Sequence, residues 1–134
     1  MRDTELFRWP LTSAADAIAA GTLSAGALAE AQLARIAATD AAIEACAHLD
    51  PPRVRAEAVV CDARKGVGRG PLEGIGVGVK DIIPTVDEPM QLGSPIYAGH
   101  RPEQPEGQVD DCQLCPLPGG SRAIGDGCVH RRCT

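Results

Sequence analysis

Aromatic side chains are nearly missing from this chain of 134 residues: Phe7, Trp9 and Tyr97 are the whole set. Apolar residues make up 44% of it, but many are alanines, which remove little surface from water when buried. At a length that allows one modest domain, a tightly packed and self-sufficient core is not expected. Long apolar runs are lacking too. No window approaches a membrane span, and the opening MRDTELFRWP holds no apolar stretch of signal-peptide length. Excess positive charge is absent: the formal net charge is −5, which gives no general attraction for nucleic acid or anionic lipid. A soluble cytoplasmic protein is the expectation.

What is present is unevenly spread. Of the six cysteines, Cys46 and Cys61 stand alone and fit small buried residues in a reducing compartment, whereas Cys112, Cys115, Cys128 and Cys133 crowd into the last 23 residues. The chain thus reads as two unlike parts, 1–104 and 105–134. In the first part, Ser13 is expected to cap a short alanine-rich helix that Gly21 closes, and Ser24 to cap a longer one over AGALAEAQLARIAATD. Ala25, Ala29, Leu33 and Ile36 recur on one side of that helix, with Leu28 at the margin. The stripe is narrow and includes Gln32, so it needs a partner surface. Residues 43–49, IEACAHL, are short enough to be extended. Asp50 before Pro51-Pro52 opens a third helix whose buried side is Val54, Ala58 and Cys61. The chain then loosens into GVGRGP.

Gly74–Val79 reads as a buried strand by its Val and Ile content, weakened by its glycines. It runs straight into Lys80 and Asp81. A lysine at a strand end is ordinarily a solvated cap. It gains a chemical purpose if the glycine-rich backbone around it lets its ammonium be desolvated cheaply, since a neutral amine can take a proton from a serine and later return it to a leaving amine.

The stretch GPLEGIGVGVKDIIPTVDEPMQLGSPIYAGHRP resembles the amidase signature family, serine hydrolases that cleave carboxamides. Gly70-Pro71-Leu72, Gly74-Ile75, Val77-Gly78-Val79-Lys80-Asp81, Thr85, Asp87, Pro89 and Gly93-Ser94 match its usual segment. Upstream, AAGTLSAGALAEAQLARIAATDAAIEAC is similar to the family's opening helices, so the resemblance covers roughly 7–104. Glu73 stands for the usual histidine, Gly76 for a proline, Met90 for a frequent threonine, and Pro84 where a polar residue is common. The resemblance implies an α/β fold in which N-terminal helices and the first strand or strands belong to a larger mixed sheet, here incomplete. It implies that Lys80 is the distal base of a Ser–cis-Ser–Lys triad, needing no cofactor. The substrate would be a small-molecule amide, in a stand-alone amidase or in one component of an amidotransferase. With most of the sheet missing, the strand edge is open and invites self-association, and the chain alone is expected to be inactive and marginally folded.

The tail has no helical stripe and no strand alternation. Pro118-Gly119-Gly120-Ser121 matches the start of the family's Pro-Gly-Gly-Ser-Ser element, which makes Ser121 a candidate cis serine. Arg122 where serine is expected, and the short distance from Lys80, favour a plain tight turn instead. GQVDD, read one nucleotide later, can encode Gly-Lys-x-Thr-Thr, so the irregular tail is also what a frameshift would leave. A different reading takes Cys112, Cys115, Cys128 and Cys133, with His130 between the last two, as a zinc site of a small interaction module. Its second pair is looser than a standard knuckle, and no hairpin frames either pair. A thioredoxin-like use of Cys112 and Cys115 lacks the βαβ frame it needs. His48, His100 and His130 read as ordinary polar positions, and the glycines of 74–78 have the wrong spacing for a dinucleotide fingerprint.

Overall fold

The computed structural model describes residues 3–64, 70–83, 88–101 and 129–133, the last of these as backbone only. After a 3-10 segment at Asp3–Arg8 come three helices, α1 (Leu11–Ala19), α2 (Ala25–Ile43) and α3 (Pro51–Ala63), then strand β1 (Gly76–Lys80), a 3-10 turn at Pro95–Tyr97 and strand β2 (Val129–Cys133).

Local chemistry sets most helix ends. α1 begins at Leu11, two residues before the cap expected at Ser13. Pro10 precedes it with an extended ψ of 141° and supplies no side-chain cap, and the Pro10 carbonyl takes the first helical bond from Ala14 N at 3.0 Å. Ser13 is consequently inside the first turn. Gly21 closes α1 as expected. At φ +71°, its N–H reaches Ile18 O at 3.0 Å while Thr22 N reaches Ala17 O at 2.9 Å, the paired bonds of a left-handed glycine stop. Ser24 Oγ accepts from Ala27 N at 3.0 Å to cap α2, and Asp50 accepts from Arg53 N at 3.1 Å to cap α3, with Pro51 at its first position. Residues 43–49 form no strand beyond a single bridge residue at His48. Glu44, in the left-handed region at φ 52°, ends α2, and Asp40 Oδ1 collects the next two N–H groups, Ala45 at 2.9 Å and Cys46 at 3.2 Å.

α2 is buried on two sides. Ala25, Ala29 and Leu33, one turn apart, meet Val54, Ala58 and Cys61 of α3, with Leu49 against the edge. Leu28 and Ala31, on another side, meet Leu6, Ala14, Ile18 and Ile75, with Trp9, Leu23 and Leu72 around them. Leu28 is therefore a central residue rather than a marginal one. Two shallow faces explain why α2 shows only a weak single stripe. On its exposed side Arg55 grips Glu30 through two bonds, Nε–Oε1 at 2.5 Å and Nη2–Oε2 at 3.2 Å. This fork, by its hydrogen bond first and its charge second, holds the Glu30 carboxyl below the usual range and raises Arg55.

β1 starts two residues later than the sequence pattern suggests, because Gly74 takes φ +84°, a conformation no strand uses. A Cβ at 74 would lie 2.9 Å from the Ala25 side chain, so glycine also lets the chain pass close over α2. β1 pairs in parallel with β2, Gly76 opposite Val129 and Lys80 opposite Cys133. This two-stranded sheet corrects the expectation of a tail without strands: parallel pairing uses backbone groups, which VHRRC offers despite lacking apolar alternation. Among the described residues, the outer edge of each strand is unpaired.

Candidate functional site

Lys80 is the last residue of β1, and the chain turns immediately, Ile83 N donating to Lys80 O at 3.0 Å. Successive strand residues face opposite ways, and the pair at this end obeys that rule. Lys80 is exposed, while Asp81 is only 4% exposed. The desolvated amine that the sequence suggested is thus not realised: the described residues place nothing over Lys80 that excludes water.

Asp81 does the ordering at this corner. Its carboxylate accepts from Gln91 N at 3.0 Å and Gly93 N at 3.5 Å, and its carbonyl from Leu92 N at 3.4 Å. The returning loop is thereby tied to the end of β1. It needs the tie, since Leu92 and Gly93 both adopt positive φ, 56° and 64°, which for leucine is strained. Ser94 of the matched Gly-Ser pair caps the following 3-10 turn, its Oγ accepting from Ile96 N at 3.4 Å. Gln91 and Met90 fasten the loop onward, Gly99 N donating to Gln91 Oε1 at 3.1 Å and Met90 N to His100 O at 2.8 Å.

A second buried acid holds the same loop against the helices. Glu88 receives His48 Nε2 at 3.0 Å and Arg53 Nη1 at 3.1 Å, while Arg53 Nε also reaches Glu57 at 2.8 Å. His48 is consequently not an idle polar position. Three further residues shape the ground beneath β1. Gln32 lies over Gly76, so closely that a Cβ there would collide with its side-chain oxygen; this is what a glutamine is doing in the buried part of α2. Glu73, at the usual histidine position, is 7% exposed with Arg64 at 4.0 Å. Cys61 is fully buried in the α2–α3 seam, and that burial, with the Glu73 carboxylate adding to it, pushes its thiol up.

Of the candidate catalytic and zinc-binding residues named from sequence, Lys80 alone falls where side chains are described. Ser121, Cys112, Cys115 and Cys128 lie outside the described residues, and Cys133 contributes only its backbone to β2. Among the described residues no group of three or more His, Cys, Asp or Glu side chains could hold a metal ion, and no helix is long and apolar enough to cross a membrane. Sequence reasoning misses Asp81, Glu88 and His48 as organisers. Asp81 carries a signal, its place beside Lys80 in the matched motif; Glu88 and His48 carry none, being 40 residues apart in the sequence.

Comparison with known proteins agrees with this corner of the chain. The Amidase family model matches residues 27–112, which include most of α2, all of α3 and β1, and the loop after Lys80. The A subunit of the glutamyl-tRNA(Gln) amidotransferase of Chloroflexus aurantiacus is 46% identical over 101 residues, covering 74% of this chain and 21% of the relative. Its counterpart in an Anaeromyxobacter species is 42% identical over 73% of this chain and 20% of its own length, and that of Streptomyces avermitilis 38% identical over 76% and 21%. The chain thus spans about a fifth of the length of these curated relatives. Among solved structures, a chain of an inhibitor-bound vestigial protein complex, described as revealing the evolutionary origins of an s-triazine catabolic enzyme, superposes with a TM-score of 0.73 at 27% identity, over 92% of this chain and 25% of that one. A strand that delivers Gly-Val-Lys-Asp into a loop pinned by its own aspartate, on helices of matching sequence and shape, places this chain in the amidase family.

Proposed function

We propose that Lys80 is the proton-carrying base of a carboxamide-hydrolysing site whose hydroxyl groups come from sequence outside the described residues. The observation that carries this is the delivery of Lys80 by β1 to a corner fixed through Asp81, whose carboxylate accepts from Gln91 and Gly93. A base must be held in place before its basicity matters. In this reading the amine receives a proton from a serine as that serine attacks the amide carbonyl, and the proton then passes to the departing nitrogen. Ser121 is a weak candidate for the relaying serine, since its Pro-Gly-Gly-Ser setting fits a plain tight turn better. The amine's exposure fits an unfinished site: alone, the chain turns over no amide.

The reaction type is hydrolysis of a linear amide. The version used within an amidotransferase is favoured over a stand-alone amidase by the identity of 46% to the Chloroflexus aurantiacus protein. The test is a single-chain chimera in which residues 7–100 replace the matched stretch of that relative. Release of ammonia from glutamine, lost at least a hundredfold in the Lys80→Met chimera, is the expected result. Turnover unchanged by that substitution would sink the assignment.

A further inference from the structure

The buried carboxylate of Glu88 joins the loop after Lys80 to the helices. His48, just ahead of α3, reaches it at 3.0 Å, and Arg53, in the first turn of α3, at 3.1 Å. Arg53 is itself steadied by Glu57, one turn on, at 2.8 Å. Because α3 packs on α2 through Val54, Ala58 and Cys61, the carboxylate is registered against a packed helix pair. From Glu88 the way to Lys80 is short. Pro89, whose ring fixes φ, and Met90 lead to Gln91, whose N–H donates to the Asp81 carboxylate at 3.0 Å. The next N–H, that of Leu92, donates to the Asp81 carbonyl at 3.4 Å. So short a stretch offers little slack, and a movement of Glu88 is passed to Asp81, the residue joined to Lys80.

We propose that Glu88, held by His48 and Arg53, is a positioning residue for Lys80: through residues 89–91 and Asp81 it sets where the amine stands relative to the serine it serves. The inference rests on the reading of Lys80 as the base. An ion pair taken out of water adds little stability over an apolar side chain of the same size. What it supplies here is direction, since it fixes where the loop meets α3. The loop needs such a fixed point, because Leu92 and Gly93 both take positive φ just after the bond to Asp81. A base displaced by a fraction of an ångström loses its alignment with the reacting hydroxyl, so a distant clamp can govern turnover without touching substrate.

Two measurements decide. In the whole chain, Glu88→Gln should quicken amide exchange about tenfold at Gln91 and Gly93, the two donors to the Asp81 carboxylate, and by less than about twofold in the α2–α3 seam. Unchanged exchange at those two amides overturns the proposal, and so does equal acceleration throughout. In the single-chain chimera, Glu88→Gln should lower kcat for glutamine about tenfold while KM stays within about twofold. An amine that strays into water keeps its proton to higher pH, so the rising limb of kcat against pH should also move to higher pH. A loss of folded protein scales that curve without moving it, and removal of a negative charge close to the amine moves it to lower pH; either result overturns the proposal. His48→Gln, which keeps a donor N–H for Glu88, should retain most of the turnover that His48→Leu loses, and equal loss in the two counts against the clamp. Glu30→Gln, which breaks the exposed fork to Arg55, should leave the limb in place; a shift there too would make the effect general and overturn the proposal. Turnover that survives Lys80→Met sinks the reading of the base. Turnover lost in Lys80→Met but untouched by Glu88→Gln sinks the positioning role alone.

Discussion

The carboxylate of Asp62, in the last turn of α3, accepts the backbone N–H of Ala25 at 2.7 Å, and its other oxygen takes Gly26 N–H at 3.0 Å. One helix thereby caps the start of another. With Ser24 Oγ on Ala27 N, the first three donors of α2 are all satisfied, and a negative charge lies at the positive end of the helix dipole.

Asp62→Ala is therefore expected to destabilise the fold by roughly 1.5–3 kcal/mol, the range for hydrogen bonds to a charged group. Asp62→Asn retains one acceptor and should cost less. Urea titration of the three proteins checks the order.

Gly74→Ala brings a methyl group against Ala25 at 2.9 Å in a backbone conformation with φ +84°. The combined conformational and packing penalty is roughly 2–4 kcal/mol. Circular dichroism melts measure it, and a loss below about 1 kcal/mol would mean that α2 and the lead into β1 yield more readily than their contact implies.

Glu88→Gln keeps the shape of the side chain but removes the charge that His48 and Arg53 share. The loop after Lys80 should loosen first. Amide exchange at Met90–Ser94 is expected to quicken about tenfold, with the α2–α3 seam slower to respond. Uniform acceleration everywhere would show that Glu88 supports the whole fold rather than the loop.

Cys61 gives a pH dependence with a definite sign. Its folded thiol value is raised by burial and then by Glu73, so the folded state keeps the proton longer than the unfolded one. Stability from this source is complete below the unfolded thiol value, about 8.5, and falls as pH rises from there toward the folded value. Cys61→Ala should flatten the slope of stability between about pH 8 and 10. Peptide mapping after brief alkylation at neutral pH should find Cys46, which is half-buried, modified well ahead of Cys61.

Parts of this architecture are legible in the sequence because their causes are local. Asp50 with Pro51, Ser24, and Gly21 announce helix ends through their own chemistry, and the spacing of Val54, Ala58 and Cys61 announces a buried side. Lys80 is legible through the motif around it. Ser13 misleads because a serine three residues into a helix looks like a cap until Pro10 is seen to set the start. Leu28 looks marginal because a single-stripe reading cannot represent a helix buried on two sides. Asp62, Glu88 and His48 act across 35 or more residues, and nothing in their immediate neighbours encodes the partner. The exposure of Lys80 is a property of what surrounds β1, which the matched motif does not contain.

The α2–α3 seam brings Ala25 and Ala29 onto Ala58 and Cys61, with Leu33 and Val54 as its largest members. A junction built from such slight side chains releases little hydrocarbon to solvent when it opens. Its heat-capacity increment is correspondingly small, so the free energy of the helical pair varies gently with temperature. Cooling should weaken this part of the molecule less than it would a leucine-rich bundle of the same length.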